Sequence, residues 1–169
     1  MNKNMTIDET FKIAVTNHSK NNLKEALTLY NKILEINPNH LPSLNNVGVI
    51  LIDLKEHQKA KACYKKVIEI NPNYAEAHSN LGTVFLDLEE YPKAKACYEK
   101  AIEINPTYVE AHYNLGNIFK KLKEYQKAKA CYEKVIKINP NHIGSHNNLG
   151  NILKELKEYQ KAKSCFEKV

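Results

Sequence analysis

Four asparagines, Asn46, Asn80, Asn114 and Asn148, recur at intervals of 34 residues. A side-chain amide holds a donor and an acceptor on one carbon, the same pair that a peptide bond presents. A column of amides can therefore grip a polypeptide main chain whatever its side chains are. Asn117 and Asn151 stand three residues beyond the last two members of the column, and Asn45 and Asn147 stand one residue before the first and the last. Asn is a mediocre helix former, so its recurrence within helical sequence asks for a role that Lys or Glu would not fill. The chemistry on offer is recognition by hydrogen bonding.

Other residue types that could do chemistry share the period without gathering into a reactive group. Cys63, Cys97, Cys131 and Cys165 are also 34 residues apart, with no C-x-x-C pair anywhere. Packed helices lie about 10 Å apart, whereas a disulfide needs Cα atoms within about 7 Å, so these thiols are expected to be small half-buried hydrophobes. His78, His112 and His146 share one register, and His40 and His142 fall where turns are expected. Only His142 and His146 have i, i+4 spacing, and the first lies beside a turn, so neither a metal site nor a cofactor is expected. Two glycosylation sequons, Asn4-Met5-Thr6 and Asn17-His18-Ser19, are expected to be accidental in so Asn-rich a chain.

The elements that carry these residues follow from the same period. Pro38, Pro72, Pro106 and Pro140 each close an Ile-Asn-Pro tripeptide. With proline as position 32 of each block, Gly48, Gly82, Gly116 and Gly150 fall at position 8. Ala60, Ala94, Ala128 and Ala162 fall at position 20, and Tyr64, Tyr98, Tyr132 and Phe166 at position 24. Within one block, Leu81, Val84, Phe85 and Leu88 follow i, i+3, i+4, i+7, and Ala94, Cys97, Tyr98, Ala101 and Ile102 do so again after a short break. Two amphipathic helices per block are predicted. Glu89-Glu90-Tyr91-Pro92 opens the second with carboxylates at the positive end of the dipole and a proline whose missing N–H costs little there. The residue before each proline is biased out of the α region, which ends the second helix. Small residues at positions 8 and 20 are expected to let the paired helices approach closely.

A 34-residue helical block with these Gly, Ala, Tyr and Pro positions resembles the tetratricopeptide repeat family. The resemblance implies an all-α fold, a right-handed α-solenoid of stacked helix-turn-helix repeats whose first helices line a concave groove. It covers residues 1–169 as a single domain, with repeats at 7–40, 41–74, 75–108 and 109–142 and a partial repeat at 143–169. The family's Trp at position 4 is replaced by Leu44, His78, His112 and His146, and the first block has Ala14 in place of Gly. The Asn column is similar to the asparagine ladder in the repeats of O-linked N-acetylglucosamine transferase. The family's carboxylate clamp for chaperone tails needs Lys at positions 2 or 5; Pro42, Glu76, Glu110 and Gly144, and Asn45, Ser79, Tyr113 and Asn147, stand there instead, so chaperone-tail binding is disfavoured.

Function is therefore expected to be protein–protein interaction, with an extended peptide held in the groove by Asn46, Asn80, Asn114, Asn148, Asn117 and Asn151. Repeats about 10 Å apart and an extended strand rising about 3.3 Å per residue would place one amide at every third residue. Asp53, Glu76, Asp87 and Glu110 make the early part of the stripe acidic, and Lys120, Lys121 and Lys154 make the later part basic, which would orient a bound chain. Asp87 and Lys121 accordingly join the expected binding residues. A repeat array has no single core to enclose a catalytic pocket, so no enzyme is expected. The net charge of +6 comes from Lys alone, since the chain has no Arg, and the Lys of positions 19, 21 and 26 alternate with Glu of positions 16 and 25. That reads as a solvated convex face rather than a nucleic-acid surface. The opening residues lack an apolar signal region and no stretch approaches a membrane span, so a cytoplasmic or nuclear location and no membrane partner are expected. Because the chain stops within a block, the apolar side of its last helix is expected to be exposed and to favour self-association. Two alternatives stand beside the peptide-binding reading: a non-catalytic repeat portion of a larger enzyme such as a glycosyltransferase, and a structural scaffold.

Overall fold

A computed structural model of the chain describes residues 5–168; Val169 and the Asn4 of the first sequon lie outside the described residues. Ten helices make up the described chain: α1 (Ile7–Ser19), α2 (Leu23–Ile36), α3 (Leu41–Asp53), α4 (His57–Ile70), α5 (Ala75–Asp87), α6 (Tyr91–Ile104), α7 (Val109–Lys121), α8 (Tyr125–Ile138), α9 (Ile143–Glu155) and α10 (Tyr159–Phe166). Each predicted block supplies two. The chain divides within α5 into two compact units, one up to Val84 and one from Phe85. In the first, α1 packs on α2, α2 on α3 and α3 on α4. In the second, α6 packs on α7, α7 on α8, α8 on α9 and α9 on α10.

Both helix ends repeat from block to block. The predicted stop before proline is present: Asn37, Asn71, Asn105 and Asn139 have extended backbone, with φ between −127° and −135°. Their side chains also turn the chain, because each Oδ1 accepts the backbone N–H two residues on, at 3.0–3.2 Å. First helices end differently. Asn21, Lys55, Glu89, Lys123 and Lys157 all take the left-handed conformation, φ 58–61°, without the glycine that usually serves there. Around Lys55 the pattern is a Schellman motif: Glu56 N–H donates to Leu51 C=O at 2.8 Å and Lys55 N–H to Ile52 C=O at 2.9 Å.

The histidines that replace the family's Trp also tie turns down. Nε2 of His78, His112 and His146 bonds to the carbonyl of Pro72, Pro106 and Pro140, at 2.9, 3.1 and 2.8 Å. Each bond gives the turn's proline carbonyl a side-chain partner from the helix that follows it. His40 and His142 cap α3 and α9, each Nδ1 accepting the backbone N–H of the serine three residues on.

The core is built from the repeated apolar positions. Ala26, Ala60, Ala94 and Ala128, and the rings of Tyr30, Tyr64, Tyr98 and Tyr132, are fully buried; burial of one such ring is worth about 2–3 kcal/mol. Position-8 glycines serve these rings rather than helix–helix contact as such. A Cβ on Gly116 would lie 2.8 Å from Tyr132 Cε1, and one on Gly150 would lie 2.6 Å from the Phe166 ring. Leu88, on the predicted apolar face, is half-buried, whereas Leu54 and Leu122 in the same register are about half exposed. Along the second helices, Glu56, Glu90, Glu124 and Glu158 pair with Lys59, Lys93, Lys127 and Lys161 three residues on. Exposed pairs of this kind contribute at most a few tenths of a kcal/mol each.

Candidate functional site

The asparagines stand on the first helix of each block, and their side chains are not equivalent. In the first unit, Asn46 donates through Nδ2 to the hydroxyl of Tyr30 at 3.0 Å. Asn80 donates to Asn45 Oδ1 at 3.1 Å, and the buried Asn45 in turn donates to Glu76 at 2.7 Å. This row of bonds holds α3 and the start of α5 in register. The acceptor oxygens of Asn46 and Asn80 remain without a donor among the described residues.

In the second unit the amides form a tighter cluster. Asn148 donates to Asn117 Oδ1 at 3.0 Å and to the Tyr113 hydroxyl at 3.3 Å, and its own Oδ1 accepts from Lys120 Nζ at 2.8 Å. Asn117 Oδ1 also accepts from the buried hydroxyl of Tyr132 at 2.8 Å. Burial, with the Tyr113 and Cys131 charges in second place, raises the pKa of that phenol well above 10.0, so it stays a donor. Asn114, half-buried on α7, makes no side-chain hydrogen bond among the described residues, and Asn151 is exposed on α9.

Lys121 lies at the exposed end of α7. Its ammonium donates to the Tyr91 hydroxyl, stands 4.6 Å above the same ring and comes within 3.9 Å of Glu89. The bond to Tyr91 is the main cause of its raised pKa. Asp87 is exposed at the end of α5. The sequence pattern thus located the amides but not Tyr30, Tyr113 and Tyr132, the hydroxyls that orient them. Tyr at position 24 was visible as a packing residue; its polar tip gave no separate signal.

Chemistry beyond hydrogen bonding has little to work with. Cys97 and Cys131 are half-buried, and burial pushes their thiols up to about 11. Among the described residues, no three His, Cys, Asp or Glu side chains gather where they could hold a metal ion, and no helix is long and apolar enough to cross a membrane.

Known proteins with this architecture are repeat proteins. Family models described as tetratricopeptide repeat match residues 11–40, 109–142 and 131–164, and one described as TPR repeat matches 48–88 and 82–123. No curated protein matches by sequence. Among solved structures, MamA is 28% identical with a TM-score of 0.77, over 92% of this chain and 91% of that one. The pilF protein of Pseudomonas aeruginosa is 21% identical with a TM-score of 0.89, over 96% of this chain and 74% of its own. YrrB, described as a TPR protein with an unusual peptide-binding site, is 22% identical with a TM-score of 0.69, over 96% and 84%. With its 34-residue period, two helices to each block and repeat models matched from residue 11 to residue 164, this chain belongs to the tetratricopeptide repeat family, an all-α helical-repeat fold that serves as a protein-interaction module.

Proposed function

We propose that residues 1–169 act as one module that takes an extended segment of a partner protein along the first-helix face, held mainly through its main chain by the asparagines. Asn114 carries the reading: a half-buried mid-helix amide, in the register of Asn46, Asn80 and Asn148, with donor and acceptor both unused among the described residues. A residue with weak helix propensity and no internal partner is accounted for by an external one. Asn151 and the open oxygens of Asn46 and Asn80 extend the same offer, and Asp87 and Lys121 are the charges that would set the direction of the bound chain. The module works without catalysing a reaction itself, in the cytoplasm or nucleus, alone or as the repeat portion of a longer enzyme. Its likeness to a ladder such as that of O-linked N-acetylglucosamine transferase rests on the amides alone.

The test is binding of peptides selected from a random-sequence library, followed by calorimetry on Asn114→Ala and on Asn80→Ala/Asn114→Ala. Each main-chain bond is worth roughly 0.5–1.5 kcal/mol net, so the double variant should bind about 1–3 kcal/mol more weakly while keeping its helical signal. Unchanged affinity would remove the asparagines from the binding face.

A second reading concerns self-association. Tyr159 is 62% exposed and Phe166 38% exposed on α10, where they line an open hollow of about 480 Å³ with Ala162 and the stem of Lys154. Apolar surface grouped in this way favours a protein partner, and we propose a second copy of the chain as that partner.

A further inference from the structure

The hydrogen bonds between α7 and α9 have a direction, and it leaves spare protons on three of their side chains. An ammonium can only donate, so the Asn148 atom 2.8 Å from Lys120 Nζ is the carbonyl oxygen. That places the Asn148 amide nitrogen against Asn117 Oδ1 and the Tyr113 hydroxyl. Asn117 Oδ1 takes a second proton from Tyr132, which occupies both lone-pair directions of that oxygen inside the protein. The Asn117 amide nitrogen is left with two protons and no acceptor among the described residues. The Tyr113 oxygen, having accepted from Asn148, keeps a proton of its own to give. Lys120 has given one of three protons, and no carboxylate among the described residues pairs with it.

These donors share one place. Tyr113, Asn117 and Lys120 stand at i, i+4 and i+7 on α7, hence on one face, and all three are half-buried rather than covered. Gly144 on α9 leaves room for the Tyr113 hydroxyl where it stands: a Cβ there would lie 2.9 Å from that oxygen. Two neutral donors and one cation therefore surround the Asn148 amide, with both amide oxygens already engaged. A neutral peptide group, donor and acceptor together, is matched only by half; an oxyanion, which only accepts, is matched in full.

We infer that the cluster of Tyr113, Asn117, Lys120 and Asn148 is a binding site for one side-chain carboxylate, Asp or Glu, of an extended partner peptide. The inference rests on the peptide-binding reading above and narrows it, making this stretch of the face selective where Asn114 is not. A single ammonium with neutral donors suits a monoanion; a phosphate would draw on the Arg fork that the chain lacks altogether.

The test uses the whole chain, isotope-labelled for NMR, titrated with acetyl-Ala-Glu-Ala-Glu-Ala-Glu-amide and with its Gln counterpart. The Glu peptide should bind about five- to tenfold more tightly at low salt, because hydrogen bonds to a charged acceptor are the stronger kind, and should shift the side-chain amide signals of Asn117 and Asn148. The preference should shrink as salt shortens the screening length. Lys120→Gln should abolish the preference, so that the two peptides bind that variant with equal affinity. Equal affinity for the two peptides overturns the carboxylate site and leaves general peptide binding standing. So does a preference that survives in Lys120→Gln, since the anion would then sit elsewhere. If neither peptide moves these signals, or if an oligothymidylate displaces the Glu peptide and binds more tightly, the site is not one for a carboxylate. General peptide binding fails on different data, namely library peptides indifferent to Asn114→Ala.

Discussion

A Cβ built on Gly48 would lie 2.6 Å from Cζ of Tyr64, closer than any side chain tolerates, so the glycine of the first helix is the seat of the tyrosine ring of the second. The helix gives up about 1 kcal/mol of propensity at that glycine, and the buried ring returns more. Gly116 with Tyr132 and Gly150 with Phe166 repeat the arrangement, which explains why two positions 16 residues apart recur together.

Gly48→Val should therefore destabilise the chain by about 1–3 kcal/mol, as overpacking does, measured by urea unfolding. The sharper test is a double-mutant comparison. In a Tyr64→Leu background the obstruction is gone while the propensity gain remains, so Gly48→Ala should there be stabilising by about 1 kcal/mol. An identical effect of Gly48→Ala in both backgrounds would mean that the ring is not the reason for the glycine.

Much of this architecture is legible in the sequence. Apolar spacing gave the helix pairs, and Ile-Asn-Pro marked where the second helix stops, because proline restricts the residue before it whatever the context. The turns after the first helices were not legible: their left-handed residues are Asn21, Lys55, Glu89, Lys123 and Lys157, and none is the glycine that usually marks that conformation in a sequence. At the candidate site the register of the amides could be read, but not which ones are engaged. Asn148 meets Asn117 across 31 residues and Tyr113 across 35, and such bonds depend on side-chain rotamers that no spacing rule fixes.

Lys123 tests the turn. A left-handed residue with a Cβ costs about 1–2 kcal/mol relative to glycine, and the Lys123 side chain is exposed. Lys123→Gly should raise stability by up to about 1 kcal/mol once the entropy of a freer unfolded chain is counted, and Lys123→Val should lower it. Thermal unfolding of the two variants beside the natural chain checks the signs. A loss of stability in Lys123→Gly would show that the lysine contributes something beyond its backbone angle.

The thiols offer a test in pH. Burial raises Cys97 and Cys131 from the ordinary 9.0 to about 11, with the Glu99 charge adding a little at Cys131. A group that binds its proton more tightly in the folded chain adds stability that is whole below about pH 9 and is lost as pH climbs towards about 11. Stability should fall across that alkaline window, and a Cys97→Ala/Cys131→Ala chain should fall less. At neutral pH iodoacetamide should leave both residues largely unmodified while the chain is folded. Rapid alkylation of either in the native state would contradict the burial that the structure gives them.

The last test concerns α10. Tyr159 and Phe166 differ in what they do: Phe166 fills the space over Gly150, so replacing it would unseat the repeat, whereas Tyr159, 62% exposed, supports little inside the protein. Tyr159→Lys is therefore the informative change, since it removes apolar surface from the hollow without loosening the core. If a second copy covers this face, scattering mass should rise with concentration in the natural chain and stay at that of one chain in Tyr159→Lys, with melting at low concentration alike in both. Tyr159 and Phe166 are the large apolar side chains exposed at this hollow, and two side chains supply little of the roughly 1,000 Å² that a stable interface buries, so association should be weak and concentration-dependent rather than obligate. Added salt should not disrupt it, because the contact is apolar and Lys154 and Lys163 at its rim gain from screening. A single-chain mass at every concentration would exclude this face as a self-association surface, and dimers that survive Tyr159→Lys would place the contact elsewhere on the molecule.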